Sequence, residues 1–135
     1  MPKNQTILLV EDLQSDVLLT QRVFQVHAPA YDLHAVSNGE SAMKYLQHRN
    51  KDLPKLILLD LKLPGISGFE LLKWIHCQPE RLRNVPIVIL SGSKNVDDAK
   101  TCQHLGAKAY LVKPISPEAL KQMLQQLCPE TVPVA

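Results

Sequence analysis

What this chain lacks narrows it first. It has only three cysteines in 135 residues, Cys77, Cys102 and Cys128, with no Cys-x-x-Cys pair among them. An odd number at wide spacing gives neither a disulfide framework nor a zinc site. None has a histidine partner at motif spacing, so all three read as structural or incidental thiols, and the set fits a reducing cytoplasm. Charge of one sign is also lacking. The formal net charge is +2 and no Lys/Arg run occurs, which argues against a nucleic-acid or anionic-membrane partner. No apolar stretch approaches membrane-spanning length, and Met1-Pro-Lys-Asn-Gln-Thr6 has no signal-peptide core. Linkers, repeats and low-complexity tracts are missing as well. The hydrophobic fraction of 45% and charged fraction of 21% are those of an ordinary globular domain, long enough to bury a real core. The expectation is a single domain over 1–135, with a core of about 6–127. The tail 128–135, with prolines at 129 and 133, is expected to fray.

What is present is a regular alternation. Short apolar runs at 7–10, 31–36, 56–59, 86–90 and 109–112 are separated by longer amphipathic segments near 14–27, 39–48, 67–77, 95–105 and 117–127. Four of the runs are nearly continuous Leu, Ile and Val, as in parallel strands covered on both faces. The second, Tyr31-Asp-Leu-His-Ala-Val36, alternates more and reads as an edge. Leu120, Met123, Leu124 and Leu127 form one helical stripe. Ser15-Asp16, Ser67, Asn95 and Ser116 read as helix caps, with Pro117 at a first helical position. Gly106 stands where a helix should stop. Strand–helix alternation with short connections predicts an α/β fold, a doubly wound five-stranded parallel sheet.

The ends of the apolar runs carry the chemistry. Glu11-Asp12 closes the first, Asp60 the third, Ser91 the fourth and Lys113-Pro114 the fifth. In an open parallel α/β sheet ligands bind beyond the carboxyl ends of the strands, so these side chains should converge on one rim. Three clustered carboxylates repel, and the two remedies are a raised pKa or a bound divalent cation. An all-oxygen set without histidine or thiolate suits Mg²⁺. Lys113 adds a compact positive charge fit for a phosphoryl group, and a proline after it can hold a cis bond that aims the lysine. Ser91 adds a hydroxyl donor. Cation, lysine, hydroxyl and a nucleophilic aspartate together describe phosphoryl transfer onto Asp60. Each feature alone has a blander reading: a solvated acidic loop, a turn serine, a surface lysine. Their combination, in order, at four separate strand ends is the signal.

That ordered set resembles the receiver domain of two-component response regulators, over about residues 6–127. The resemblance rests on Ile7-Leu-Leu-Val-Glu-Asp12, Leu58-Leu-Asp-Leu-Lys-Leu-Pro-Gly65 with Gly68, Pro86-Ile-Val-Ile-Leu-Ser-Gly92 and Gly106-Ala-Lys-Ala-Tyr-Leu-Val-Lys-Pro114. It implies a flavodoxin-like (βα)5 sheet in the order 2-1-3-4-5. It implies that Asp60 is the phosphoacceptor, that Asp12 binds Mg²⁺ directly, that Glu11 acts through water and that the Lys62 backbone carbonyl is a further ligand. Ser91 and Tyr110 match the switch hydroxyl and switch aromatic, and Lys113 the phosphate-pairing lysine before a cis proline. Leu63 stands where methionine is usual, Glu11 for aspartate and Ser91 for threonine; none of these removes a needed group. In the family the positions of Lys62 and Ser93 tune the phosphoryl lifetime; neither residue here is a carboxylate or amide able to orient an attacking water, so the resemblance implies no fast self-dephosphorylation.

The implied function is a stand-alone, chemotaxis-regulator-like response regulator. It takes its phosphoryl group from a sensor histidine kinase or a phosphotransfer protein and signals through a changed binding surface, catalysing only its own phosphorylation and slow dephosphorylation. The segment Asp16-Val-Leu-Leu-Thr20 and the long connection Cys77–Pro86 resemble a narrower group, the partners of phytochrome histidine kinases. A Mg²⁺-dependent aspartyl-phosphate phosphohydrolase would want a second acid two residues after the nucleophile, where Lys62 stands. A degenerate receiver scaffold would have lost an acid, the hydroxyl or the lysine, and none is lost. The expected output surface is the face of the fourth predicted helix (95–105), fifth strand and fifth predicted helix (117–127), with Ala109 and Leu111 or their strand neighbours, and Asp97, Asp98, Lys100, Glu118 and Lys121 nearby. Its mixed charges suit a homodimer contact.

Overall fold

Leu, Ile and Val side chains on a pleated strand point alternately to its two faces, so an unbroken apolar run can feed two cores at once. That division organises the computed structural model, which describes residues 5–48 and 52–128. Five strands, β1 (Thr6–Val10), β2 (Asp32–Val36), β3 (Leu56–Leu59), β4 (Ile87–Ser91) and β5 (Ala109–Val112), pair in parallel in the order β2-β1-β3-β4-β5. Leu8, Val10, Ile57, Leu59, Ile87 and Ile89 enter one core. Ile7, Leu9, Leu56, Leu58, Val88 and Leu90, their alternate neighbours, enter the other.

Among the described residues six helices cover the sheet: α1 (Gln14–His27), α2 (Gly39–Gln47), α3 (Gly68–His76), α4 (Glu80–Arg83), α5 (Val96–His104) and α6 (Pro117–Leu127). The first core is closed by Ala42 and Leu46 of α2, Leu71, Leu72 and Ile75 of α3, Leu82 of α4 and Cys102 of α5. The second is closed by Val17 and Phe24 of α1 and Leu120, Met123 and Leu124 of α6. Helices on both faces make the sheet doubly wound, and β2 is an edge, as its alternation predicts.

Most helix starts follow the sequence. Ser67 and Glu70 form a reciprocal capping box at α3, the Ser116 hydroxyl accepts from the Ala119 N–H at α6, and Asn95 accepts from the Asp97 N–H at α5. Three points differ. The start of α1 is Leu13 without a side-chain cap, so Ser15-Asp16 is not a cap but lies inside the first turn. The Leu13 N–H donates instead to Glu11 Oε2 at 3.2 Å, tying the helix start to the strand end. Asn38, unread in the sequence, caps α2. The connection after Cys77 is not all loop. Pro79 precedes the single turn α4, which forms because Leu82 drops into the first core.

Cys128 does not belong to a frayed tail. It is buried, with its thiol 3.9 Å from the Lys55 carbonyl. The expected fraying of 129–135 falls outside the described residues. Gly106 takes φ +102° after α5, a left-handed conformation that suits glycine at a helix end. Gly68 has a packing reason: a Cβ there would lie 2.4 Å from the Asp60 carbonyl oxygen and 2.6 Å from Leu61 Cα. Only a hydrogen side chain lets α3 press against the end of β3.

Candidate functional site

The sheet register decides which side chains meet. Val10 pairs with Leu59, so Glu11 and Asp60 leave adjacent central strands at the same level, and the Asp60 N–H donates to the Val10 carbonyl at 3.0 Å. Ser91 pairs with Val112, so Lys113 leaves β5 one step beyond Ser91, and its N–H donates to the Ser91 carbonyl at 2.8 Å. The Lys113–Pro114 peptide bond is cis.

Glu11, Asp60 and Ser91 are the buried charged or polar side chains at the carboxyl end of the sheet, while Asp12 is exposed at the rim. One carboxylate oxygen each from Glu11, Asp12 and Asp60 lies within 4.8 Å of the others, close enough to share a single cation directly or through water. The donor set is all oxygen, as a hard divalent ion requires. The residues present therefore fit Mg²⁺, with Lys62 lining the same cleft of about 260 Å³.

Lys113 is the positive charge of the site. Its ammonium contacts a Glu11 carboxylate oxygen and donates to Asp60 Oδ2 at 3.1 Å and Asp16 Oδ2 at 2.8 Å. The other Asp60 oxygen accepts from the Lys62 N–H at 3.2 Å. Three carboxylates thus contact one ammonium and a fourth, Asp12, belongs to the same cluster, leaving excess negative charge in a partly desolvated place. The titration of the groups reflects this. Burial raises the Glu11 carboxyl to about 7; Lys113 opposes the rise, while the nearby Asp60 adds to it. Burial alone would lower the Lys113 ammonium, but the Asp16, Glu11 and Asp60 carboxylates outweigh it and hold the pKa above that of an ordinary lysine.

Ser91 accepts from the Ser93 N–H at 3.2 Å. Ser93 in turn is a junction: its hydroxyl donates to Asp98 Oδ2 at 3.0 Å and accepts from the Asn95 N–H, and its carbonyl accepts from the Tyr110 hydroxyl at 2.9 Å. The β4–α5 loop is thereby bonded to both Ser91 and Tyr110. Tyr110 packs partly buried against the first core, on the α5 side of β5. Ala109 and Leu111 pack partly buried into the second core, so of these two and their strand neighbours it is Val112 that β5 exposes. The sequence reading named Ser93 only as a lifetime position and took Asp16 for a cap. The one available hint for Asp16 was its place one helical turn after Asp12, on the side of α1 nearest the rim.

Comparison with known proteins completes the picture. Residues 7–125 match the family model described as the response regulator receiver domain. The chain is 37% identical over 125 residues to the response regulator Rcp1 of Synechocystis, spanning 90% of this chain and 84% of that protein. The structure of the Mn²⁺-bound form of Rcp1 superposes with a TM-score of 0.77 at 35% identity, covering 97% of this chain and 99% of that one. The phosphorylated cyanobacterial phytochrome response regulator RcpA gives a TM-score of 0.80 at 31% identity, covering 96% and 98%. The receiver domain of a sensor histidine kinase from Pseudomonas aeruginosa, with a magnesium ion in its active-site cleft, gives 0.78 at 28% identity, covering 93% and 98%. A doubly wound sheet in this strand order, an acidic cluster on its carboxyl rim facing a lysine before a cis proline, and a family match over nearly its whole length lead to one conclusion: the chain belongs to the response regulator receiver domain family.

Proposed function

We propose that Asp60 is the phosphoacceptor, that Glu11, Asp12, Asp60 and the Lys62 carbonyl hold a Mg²⁺ ion directly or through water, and that Ser91 and Tyr110 form the switch. The observation that carries this reading is the placement of Asp60. One of its oxygens accepts from a backbone N–H, the other from Lys113, and a ligand-forming oxygen lies within 4.8 Å of those of Glu11 and Asp12. In the transfer, an Asp60 oxygen attacks phosphorus, the bond from phosphorus to the donor breaks, and the electron pair leaves with the donor group. The bound cation supplies charge neutralisation for the phosphoryl oxygens. Lys113 pairs with those oxygens, and the Ser91 hydroxyl turns from the Ser93 N–H to donate to them. That turn loosens the loop that Ser93 ties to Tyr110 and shifts a two-state element.

The donor in this reading is a sensor histidine kinase or a phosphotransfer protein, and the likeness to the phytochrome response regulator RcpA favours a phytochrome kinase. The protein works in the cytoplasm as a signalling partner, not a turnover enzyme, and catalyses only its own phosphorylation and slow dephosphorylation. Among the described residues no helix is long and apolar enough to cross a membrane. The whole chain, 1–135, acts as one receiver unit, and its output is contact through the α5–β5–α6 face, including a homodimer contact, with no nucleic acid involved.

The test is phosphorylation by acetyl phosphate with Mg²⁺ or with EDTA. The wild type should gain an acid-labile phosphoryl group only with Mg²⁺, and Asp60→Asn should gain none. Label retained by Asp60→Asn would mean another acceptor.

A further inference from the structure

Asp16 has no task in the phosphotransfer reading, yet its hydrogen bond to Lys113 is shorter than that of Asp60, 2.8 Å against 3.1 Å. The ammonium has three protons to give and meets three carboxylates, those of Glu11, Asp16 and Asp60. Two of these belong with Asp12 to the cluster that could hold a cation; Asp16 does not. A divalent ion there would take lone pairs that Lys113 now uses and would repel the ammonium. Asp16 is then the one partner the lysine can keep.

We propose that Asp16 is a positioning residue: it draws the Lys113 ammonium to the edge of the carboxylate cluster, so that Glu11 and Asp60 can accept a divalent cation without losing the lysine from the rim. This rests on the metal and phosphoacceptor reading above. Three features suit Asp16 to the task. It lies in the first turn of α1, where the backbone is fixed. Its carbonyl accepts the hydroxyl of buried Thr20 at 2.9 Å. Its side chain is 26% exposed against 16% for Lys113, so the pair is shielded from the screening that makes open surface pairs weak. When the phosphoryl group forms, Lys113 can swing from the Asp60 oxygen to the phosphoryl oxygens while Asp16 remains within its reach.

The experiment is a double-mutant cycle read by calorimetric titration of Mg²⁺, and separately Mn²⁺, into the unphosphorylated full chain at one pH. The four proteins are wild type, Asp16→Asn, Lys113→Ala and the double variant. Asp16→Asn leaves Lys113 wholly to Glu11 and Asp60, so affinity should drop about fivefold or more, as couplings between contacting charged residues allow. In the Lys113→Ala background the same change should cost less than about twofold. An equal loss in both backgrounds would mean that Asp16 acts on the cation through space and would overturn the proposal. Unchanged affinity with a lowered melting temperature in EDTA would also overturn it, leaving a tie between α1 and β5. Wild type that binds neither ion would fail at the first titration, and with it the metal reading itself.

Discussion

At the scale of single residues, the site is a problem of too much negative charge, solved by position. Asp12 is the exposed member of the acid cluster, whereas Glu11, like Asp60, is buried, so substitutions of Asp12 and Glu11 should differ in kind. In the proposed site Asp12→Ala would remove a direct ligand, and Mg²⁺ affinity should fall about tenfold or more by calorimetry. Lys113→Ala should leave Mg²⁺ affinity equal or higher, since the ammonium competes for the same oxygens; weaker binding would place the lysine elsewhere. Glu11 predicts a pH dependence. Its carboxyl, raised by burial from 4.5 to about 7, binds its proton more tightly folded than unfolded. The folded state is therefore favoured at low pH, and that contribution is lost as pH rises from 4.5 to about 7. A cation binds the ionised form and releases the proton. The melting-temperature gap between Mg²⁺ and EDTA samples should accordingly widen from pH 6 to pH 8. A gap independent of pH would mean that Glu11 is already ionised at the lower pH.

At the scale of elements, the site depends on how closely α3 seats against β3. Gly68 makes that contact, since an added Cβ would meet backbone atoms of Asp60 and Leu61 that cannot rotate away. Gly68→Ala should cost about 1–3 kcal/mol in urea unfolding and, by shifting the end of β3, weaken Mg²⁺ binding too. Gly92 is the contrast. It sits in the loop after β4, with nothing within 4 Å of an added Cβ, so Gly92→Ala should stay within about 0.5 kcal/mol of wild type. Equal effects of the two would show that α3 can slide. The element pattern was largely legible. The predicted strands at 7–10, 56–59 and 109–112 and helices at 14–27 and 117–127 fall within a residue of those observed, because buried strands and an amphipathic helix each carry their own period. The turn α4 was not legible. Four residues are too few for a period, and the turn is anchored by Leu82 meeting the first core.

At the scale of the whole molecule, the open question is how a change at Asp60 reaches a surface. Among the described residues the bonded route runs from Ser91 to Ser93 and from there to Asp98, at α5, and Tyr110, on β5. Phosphorylation should therefore alter the α5–β5–α6 face, where Asp97, Lys100, Glu118 and Lys121 are exposed. Charges of both signs on one patch suit a twofold contact in which each partner supplies both halves. Sedimentation with and without beryllofluoride, a phosphoryl mimic, should show mimic-dependent dimers, and Lys121→Glu should weaken them. A monomer throughout, or a dimer indifferent to both changes, would assign the face another role.

The sequence by itself determined the alternation of strands and helices, the two-sided burial of the central strands and the identity of the side chains that end them. These are local properties: a period, a composition, a charge placed where an apolar run stops. Tertiary structure decided which of those side chains touch. Glu11 and Asp60 become neighbours through the pairing of β1 with β3, and Asp16 reaches Lys113, 97 positions away, through the packing of α1 and α6 on one face of the sheet. A hydrogen bond between residues so far apart in the chain leaves no periodic trace in it. Asp16 could pass for a helix cap because a carboxylate in a first helical turn looks the same in sequence whether it meets a backbone N–H or, once the chain has folded, an ammonium from another strand.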